Sequence, residues 1–155
     1  MTGVALGEPI PDFTAPATGG KTIRLADLVG GPFVLYFYPK DNTPGCTLEG
    51  TDFRDHHADF RKLKTRVFGV SRDSVKSHES FKASHKLPFD LLSDEQETLC
   101  GLFDVMRMKN MYGKQVRGIE RSTFLVDADG KLRREWRKVK VDGHVEEVLE
   151  AVREL

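Results

Sequence analysis

The sequence predicts an α/β sandwich built around a mixed central β-sheet that is flanked by helices, with an N-terminal β extension. Short runs of β-branched and aromatic residues alternate along the chain with helix-length segments, and a turn near the C-terminus joins two strand-like segments directly. The 155 residues contain no internal repeat, low-complexity tract or long Gly/Ser/Pro linker. We therefore expect a single domain over residues 1–155.

The N-terminal part of the chain predicts an extension followed by a strand and a helix. Residues 1–32 are rich in Gly, Pro and Thr, which favours a meander or hairpin over the edge of the main fold. The aromatic run at 33–38 is bounded by turn residues and by Pro39, and it predicts a buried central strand. From Pro44 to about Leu63, apolar residues recur every three to five positions, so a helix is expected there.

The rest of the chain continues this alternation of strands and helices. The predicted elements are a buried strand at 67–71, a helix from Asp73 or Ser74 to about Lys86, an extended segment at 89–92, a helix from Ser93 or Asp94 to about Phe103, a strand at 122–126, a turn at 127–130, a strand at 132–139 and a helix at 143–155. The last helix has valines and a leucine on one face, which predicts packing on the sheet. Met106, Met108 and Met111 are expected in a loop.

Composition excludes several classes of function. Lys and Arg (24) balance Asp and Glu (24), which argues against nucleic-acid or anionic-membrane binding. The basic cluster at 133–138 alternates with apolar residues and is interpreted as a solvated strand face. The longest apolar run is too short to span a bilayer, and the N-terminus lacks a secretory signal, so a cytoplasmic protein is expected. Two cysteines cannot form a disulfide framework and are expected as thiols.

The loop at 39–47 carries the most distinctive chemistry. In open α/β sheets, reactive groups lie beyond the carboxyl ends of the strands, where loops meet helix N-termini. If Thr43 is the N-cap, Pro44 occupies the first helical position and Cys46 the third. Because free N–H groups and the helix dipole stabilise an anion, Cys46 is expected to be a nucleophilic thiolate.

Two neighbours of Cys46 suit a small substrate. Gly45 has no side chain, so with Pro44 it would let a substrate approach the sulfur and the backbone donors closely. Thr43 can aim its hydroxyl group at the group that the sulfur attacks. The alternatives are a small buried cysteine at position 46 and a plain helix cap at position 43.

The pattern Pro39-x-x-x-Thr43-x-x-Cys46 resembles the active-site motif of the peroxiredoxins, and residues 37–49 are similar to their Q-type subfamily, also called bacterioferritin comigratory protein. Further segments that fit this subfamily lie at 68–74, 92–94 and 121–127. The resemblance implies a thioredoxin-like fold and a thiol peroxidase. In such an enzyme, Cys46 attacks hydrogen peroxide or an alkyl hydroperoxide and becomes a sulfenic acid.

The resemblance also implies roles for an arginine and a proline. It selects Arg121 over Arg117 as the cation beside the thiolate, since Arg121 directly precedes the predicted strand at 122–126. Its charge and N–H groups would stabilise the thiolate and hold a peroxide oxygen. A surface salt bridge with Glu120 is the alternative. Pro39 would shield the pocket from water, beyond ending the strand.

No metal or organic cofactor is expected. The histidines show no metal-type spacing with cysteines or carboxylates, and they are interpreted as exposed or capping residues: His56, His57, His78, His85 and His144. The expected partners are a peroxide and thioredoxin or another thiol reductant, with neither nucleic acid nor a membrane. A monomer is expected.

A sulfenic acid must be reduced by a second thiol before it is oxidised further. In the subfamily this thiol lies at positions that correspond here to Thr51 or to 81–83, and neither holds a cysteine. Cys100 has apolar neighbours and is interpreted as a buried, inert thiol. A one-cysteine mechanism with thioredoxin, glutaredoxin or glutathione is therefore expected. A Cys46–Cys100 disulfide formed by local unfolding, and a redox sensor, relay or chaperone-like protein, stay open as alternatives.

Overall fold

A computed structural model describes residues 4–155, so the first three residues of the predicted N-terminal extension lie outside the described residues. The strands, in chain order, are β1 (Thr14–Ala17), β2 (Lys21–Arg24), β3 (Phe33–Phe37), β4 (Arg66–Ser71), β5 (Leu91–Ser93), β6 (Met106–Met111), β7 (Lys114–Ile119), β8 (Ser122–Val126) and β9 (Leu132–Trp136). The helices are α1 (Leu25–Leu28), α2 (Pro44–Asp55), α3 (His57–Lys62), α4 (Val75–His85), α5 (Thr98–Leu102) and α6 (His144–Arg153).

Seven strands form one mixed sheet in the order β2-β1-β5-β4-β3-β8-β9. β3, β4 and β5 are parallel neighbours. On the other side of β3, β8 pairs antiparallel with β3 and β9 pairs antiparallel with β8. The hairpin of β1 and β2 extends the opposite edge through β5. The predicted α/β class with a mixed central sheet and an N-terminal hairpin at its edge is confirmed.

The central strand β3 divides the core into two halves. Its five residues are buried, and successive side chains point to opposite faces of the sheet. Phe37 packs on one face in the same apolar cluster as Cys100. Tyr36 packs on the other face in the same cluster as Cys46. The sheet therefore separates the two thiols.

The helix that was predicted from Pro44 to about Leu63 is interrupted. His56 leaves the helical conformation (φ −101°, ψ 4°), and its carbonyl oxygen accepts hydrogen bonds from the amide groups that start α3. With this break, the rings of Phe53 and Phe60 pack with their centroids 5.9 Å apart. Leu48, one of the apolar residues whose spacing predicted the helix, is 51% exposed. Prediction of one continuous helix was therefore wrong.

The predicted helix from Ser93 or Asp94 to Phe103 is shorter in the structure, where α5 covers five residues. Ser93 belongs to β5. Asp94 still binds the first turn from outside the helix, since its carboxylate oxygens accept hydrogen bonds from the amides of Leu99 (3.0 Å) and Cys100 (2.8 Å). An aspartate in the loop before α5 therefore accepts the hydrogen bonds that were expected of an N-cap residue.

The methionine segment is a strand, so the expectation of a loop was wrong. β6 pairs in antiparallel register with β7 over six residues, from Met106 opposite Ile119 to Met111 opposite Lys114. The connecting residues Tyr112 and Gly113 both have positive φ (53° and 78°), which is typical of a tight hairpin turn. This hairpin forms its own two-stranded sheet.

The remaining predicted elements agree with the structure apart from their ends. Ser74 caps α4 by accepting a hydrogen bond from the amide of Ser77 (3.1 Å). β9 ends at Trp136, three residues before the predicted end. α6 buries its valines against the second core half, as predicted. In residues 4–155, no helix combines the length and the apolar character needed to cross a bilayer.

Candidate active site

Cys46 is the third residue of α2 and is buried, with 2% of its surface exposed. Thr43 is the N-cap residue with extended backbone angles, and Pro44 occupies the first turn, as the spacing predicts. The first hydrogen bond of the helix runs from the amide of Thr47 to the carbonyl oxygen of Thr43 (2.8 Å). The thiol therefore lies at the positive end of the dipole of a 12-residue helix.

The hydroxyl group of Thr43 does not act as a side-chain cap of α2. It donates a hydrogen bond to the carbonyl oxygen of Lys40 (2.8 Å), and it makes no capping bond to α2. Because this bond uses the only hydroxyl hydrogen, the Thr43 oxygen can act toward a substrate only as an acceptor. The sulfur of Cys46, three residues after Thr43, can act as the nucleophile.

Sheet register brings Arg121 to Cys46. Ser122, the first residue of β8, pairs with Phe37, the last residue of β3, so the residue before β8 lies beside the loop after β3. The Arg121 Nη2 atom is 3.4 Å from Cys46 Sγ. Arg117, the other candidate, instead pairs with Glu97 through a 2.6 Å hydrogen bond. Of the two arginines, the structure brings Arg121 to the sulfur.

Glu49 was not predicted as a site residue, although it lies one helical turn after Cys46. Its side chain is fully buried, and its Oε1 atom accepts a 2.6 Å hydrogen bond from Arg121 Nη1. Its Oε2 atom has no hydrogen-bond partner among residues 4–155. Burial raises the pKa of Glu49 to about 7, against the opposing effect of Arg121. The i, i+3 spacing from Cys46 was the signal available in the sequence.

Gly45 leaves room for the guanidinium group. A Cβ atom at this position would lie 3.2 Å from Arg121 Nη2, closer than ordinary van der Waals contact. The missing side chain therefore permits the Arg121 contact with the sulfur, in addition to the substrate approach that was expected of it. Pro44 is exposed at the start of α2, and Pro39 is half-buried after β3.

Cys100 is remote from this arrangement. It is fully buried in α5, in the core half on the other face of the sheet. Burial and a hydrogen bond to Asp94 raise the pKa of the Cys100 thiol far above its ordinary value. A thiol in this state is a poor nucleophile, because the thiolate is the reactive form.

Two histidines depart from the expectation of exposed or capping residues. His78 is fully buried within α4, and His144 is 4% exposed at the start of α6. The ring of His144 lies 2.7 Å from the hydroxyl oxygen of Thr123, and burial and the nearby Arg121 lower the pKa of His144 to about 4. For these two residues, the prediction from spacing alone was wrong.

Glu49 gives the stability of the protein a pH dependence of defined sign. Its pKa is about 7 in the folded protein and ordinarily 4.5, so the folded state binds more protons between these values. The stability contributed by this group is full below pH 4.5 and is lost as the pH rises to about 7, by on the order of 1–3 kcal/mol. Urea unfolding at several pH values should show the wild type losing stability relative to Glu49→Gln over this interval.

The comparison with Glu49→Gln is needed because other groups titrate in the same range. Groups that do not interact with Glu49 contribute equally to both proteins, so their effects cancel in the difference between the two unfolding free energies. A difference that stays constant with pH would contradict the raised pKa of Glu49.

Known proteins are similar to this chain in sequence and in fold. The sequence model of the AhpC/TSA family matches residues 6–135. The chain is 48% identical to Peroxiredoxin Bcp of Bacillus subtilis (98% of this chain, 97% of the relative) and 50% identical to Peroxiredoxin Bcp of Xanthomonas campestris (99% and 97%). The solved structure of a mutant of Xylella fastidiosa PrxQ matches with a TM-score of 0.93 and 42% identity, over 99% of this chain and 98% of that one.

A second solved structure, Peroxiredoxin Q of Xanthomonas campestris, matches with a TM-score of 0.87 and 51% identity, over 91% of this chain and 89% of that one. Both structures support the thioredoxin-like fold that the sequence implied. The family match, the identities over nearly the whole chain and the shared fold agree with one another. The chain belongs to the AhpC/TSA family, as a peroxiredoxin of the Bcp or Q type and hence a thiol-dependent peroxidase.

Proposed function

We propose that this chain, as one domain over residues 1–155, reduces hydrogen peroxide and organic hydroperoxides through a sulfenic acid on Cys46. The observation that carries the proposal is the 3.4 Å approach of Arg121 Nη2 to Cys46 Sγ at the first turn of α2. A fixed cation and a helix N-terminus both stabilise a thiolate, which is the nucleophile for this reaction. Alkyl peroxide reduction is the activity named for the Xanthomonas campestris bacterioferritin comigratory protein, whose sequence is 50% identical to this chain.

The proposed reaction begins with attack by the Cys46 thiolate on one peroxide oxygen. A sulfur–oxygen bond forms, the O–O bond breaks, and its electron pair goes to the leaving oxygen, which takes up a proton as water or an alcohol. Negative charge therefore moves from sulfur toward the leaving oxygen. Donors fixed along this path stabilise the transition state more than the ground state. Arg121 and the backbone N–H of Cys46 are the donors that the proposal assigns.

Thr43 has a complementary role in this proposal. The Thr43 hydroxyl group donates its hydrogen bond to the carbonyl oxygen of Lys40. Its oxygen is therefore free to accept a hydrogen bond from the peroxide O–H group. Such a bond would orient the peroxide so that its oxygen faces Cys46. Pro39 and Pro44 border the loop and restrict the directions from which water and substrate approach.

We further propose a one-cysteine cycle, in which an external thiol such as thioredoxin, glutaredoxin or glutathione reduces the sulfenic acid. One thiol forms a mixed disulfide with Cys46 and releases water, and a second thiol restores the Cys46 thiol and carries away the disulfide. The separation of Cys46 from Cys100 by the sheet, and the raised pKa of the Cys100 thiol, support this cycle. A monomer in the cytoplasm, where small thiols are kept reduced, fits the proposal.

Replacement of the second cysteine tests the cycle. In Cys100→Ser, a hydroxyl group can keep the hydrogen bond to Asp94, and we expect peroxide turnover with dithiothreitol or with thioredoxin to stay within about twofold of wild type. Peroxide consumption is measured over many equivalents, because a sensor or relay protein would stop after one. Loss of turnover in Cys100→Ser would reject the one-cysteine cycle in favour of a Cys46–Cys100 disulfide.

A further inference from the structure

A buried polar cluster lies behind the loop that carries Thr43, and the reaction proposed above does not use it. Its centre is an ion pair between Asp41, in the loop after β3, and His78, one turn into α4. The two side chains are 1% and 0% exposed, and His78 Nδ1 lies 2.7 Å from Asp41 Oδ2. On its other side, His78 Nε2 lies 2.9 Å from the carbonyl oxygen of Leu92 in β5. The ring thus joins the loop, α4 and the sheet.

Two hydrogen-bond acceptors flank the ring of His78. Burial of Asp41 raises its pKa, but the hydrogen bonds from His78 and Tyr38 outweigh this effect and keep the pKa below the ordinary value, so Asp41 is a carboxylate. A carboxylate and a carbonyl oxygen only accept hydrogen bonds. One such acceptor faces each ring nitrogen, so the ring of His78 is held between Asp41 and the carbonyl oxygen of Leu92.

Further hydrogen bonds fix Asp41 from every side. Its Oδ1 atom accepts from the Tyr38 hydroxyl group (2.6 Å) and its Oδ2 atom from the Ser77 hydroxyl group (2.8 Å). Its backbone N–H donates to Asp73 Oδ2 (2.9 Å). The next residue, Asn42, has a φ of 64°, in the left-handed region that asparagine adopts more readily than most other non-glycine residues. Asp41 therefore fixes the backbone two residues before Thr43.

We propose that His78 is a positioning residue for the peroxidase reaction: through Asp41 it holds the loop that aims the Thr43 hydroxyl oxygen and the Cys46 sulfur at the peroxide. The inference rests on the proposed role of Cys46. Reacting groups that are misplaced by a fraction of an ångström to an ångström lose much of their rate, so a side chain that only sets the loop can control the reaction. Neither His78 nor Asp41 contacts Arg121 in the hydrogen bonds and ion pairs of residues 4–155.

Variants of the pair separate this role from simple stability. We expect His78→Gln and Asp41→Asn each to lower the rate constant for oxidation of Cys46 by hydrogen peroxide by about tenfold or more. The double variant should be no slower than the slower single variant, because the two residues act as a unit. Alkylation of Cys46 by iodoacetamide needs the thiolate but no peroxide alignment, and it should stay within about twofold.

A matched control is available on the same helix. His85 packs its ring against Phe81 at the end of α4 and is partly exposed, so His85→Gln should leave both rates unchanged. A ¹⁵N spectrum of the wild type should also show both ring nitrogens of His78 protonated, with His78→Gln assigning the signal. A neutral ring would overturn the proposed ion pair.

The outcomes distinguish this proposal from the one on which it rests. If the wild type does not oxidise Cys46, the proposed function itself fails. If the wild type reacts and the folded variants react equally fast, or if oxidation and alkylation fall together, the positioning role of His78 is rejected. Should both charge-pair variants fail to fold, Ser77→Ala removes one hydroxyl donor to Asp41, and we expect a two- to threefold slower reaction with peroxide, on the order of one lost hydrogen bond. An unchanged rate in Ser77→Ala would also reject the proposal.

Discussion

Cys46→Ser is expected to abolish peroxide turnover, with a loss of more than about 1,000-fold relative to wild type. A serine hydroxyl group is not ionised near neutral pH, so the helix dipole and Arg121 would have no anion to stabilise and the peroxide no nucleophile to meet. Peroxide consumption supported by dithiothreitol measures the effect. The substitution is nearly isosteric, so we expect the fold to be retained.

Cys100→Ser is the matched control for this variant, because it changes the same chemical group in the opposite half of the core. Turnover close to that of wild type in Cys100→Ser, together with background turnover in Cys46→Ser, assigns the chemistry to one thiol. If Cys46→Ser retained a substantial share of the wild-type turnover, the proposed function would be wrong.

Arg121→Lys is expected to lower kcat/KM for hydrogen peroxide by about 100-fold, although it keeps the positive charge. The guanidinium group uses two separate nitrogens, one at 2.6 Å from Glu49 and one at 3.4 Å from Cys46. A lysine ammonium is a single point on a flexible chain and cannot hold both contacts at the same distances. Steady-state kinetics with varied peroxide measure the loss.

Arg117→Lys provides the control for Arg121→Lys. Arg117 is 54% exposed and binds Glu97 at the surface, where exchange of one cation for another has a small effect. We expect kcat/KM to stay within about twofold of wild type for this variant. Equal losses in the two variants would show that the assignment of Arg121 to the site is wrong.

Local sequence patterns predicted the elements around the site, because short segments show which strands are buried and where helices begin. The aromatic run of β3 and the Thr-Pro-Gly-Cys start of α2 are of this kind. The hairpin of β6 and β7 was not predicted because its strands are rich in lysine, arginine and methionine and bury only Ile119. In addition, Tyr112 stands where an asparagine usually signals such a turn. The break at His56 depends on tertiary packing, which periodicity does not report.

The candidate site was predictable only where its residues lie close together in sequence. Thr43 and Cys46 follow from the spacing at a helix start, whereas Arg121 was selected only by resemblance, since its contact with Cys46 spans 75 residues. Glu49 looks like an ordinary polar helix residue in the sequence, since its hydrogen bond with Arg121 spans 72 residues. His78 lies among polar residues of α4, and its contact with Asp41 spans 37 residues. Long-range contacts of this kind leave no local signal.

Mass spectrometry after one equivalent of hydrogen peroxide, without reductant, identifies the residue that peroxide oxidises first. We expect one oxygen to be added at Cys46 and trapped as a sulfenic acid, with no Cys46–Cys100 disulfide, and the same product in Cys100→Ser. A Cys46–Cys100 disulfide in the wild type that disappears in Cys100→Ser would contradict the one-cysteine mechanism. Oxidation at any residue other than Cys46 as the first product would contradict the assignment of the reactive thiol.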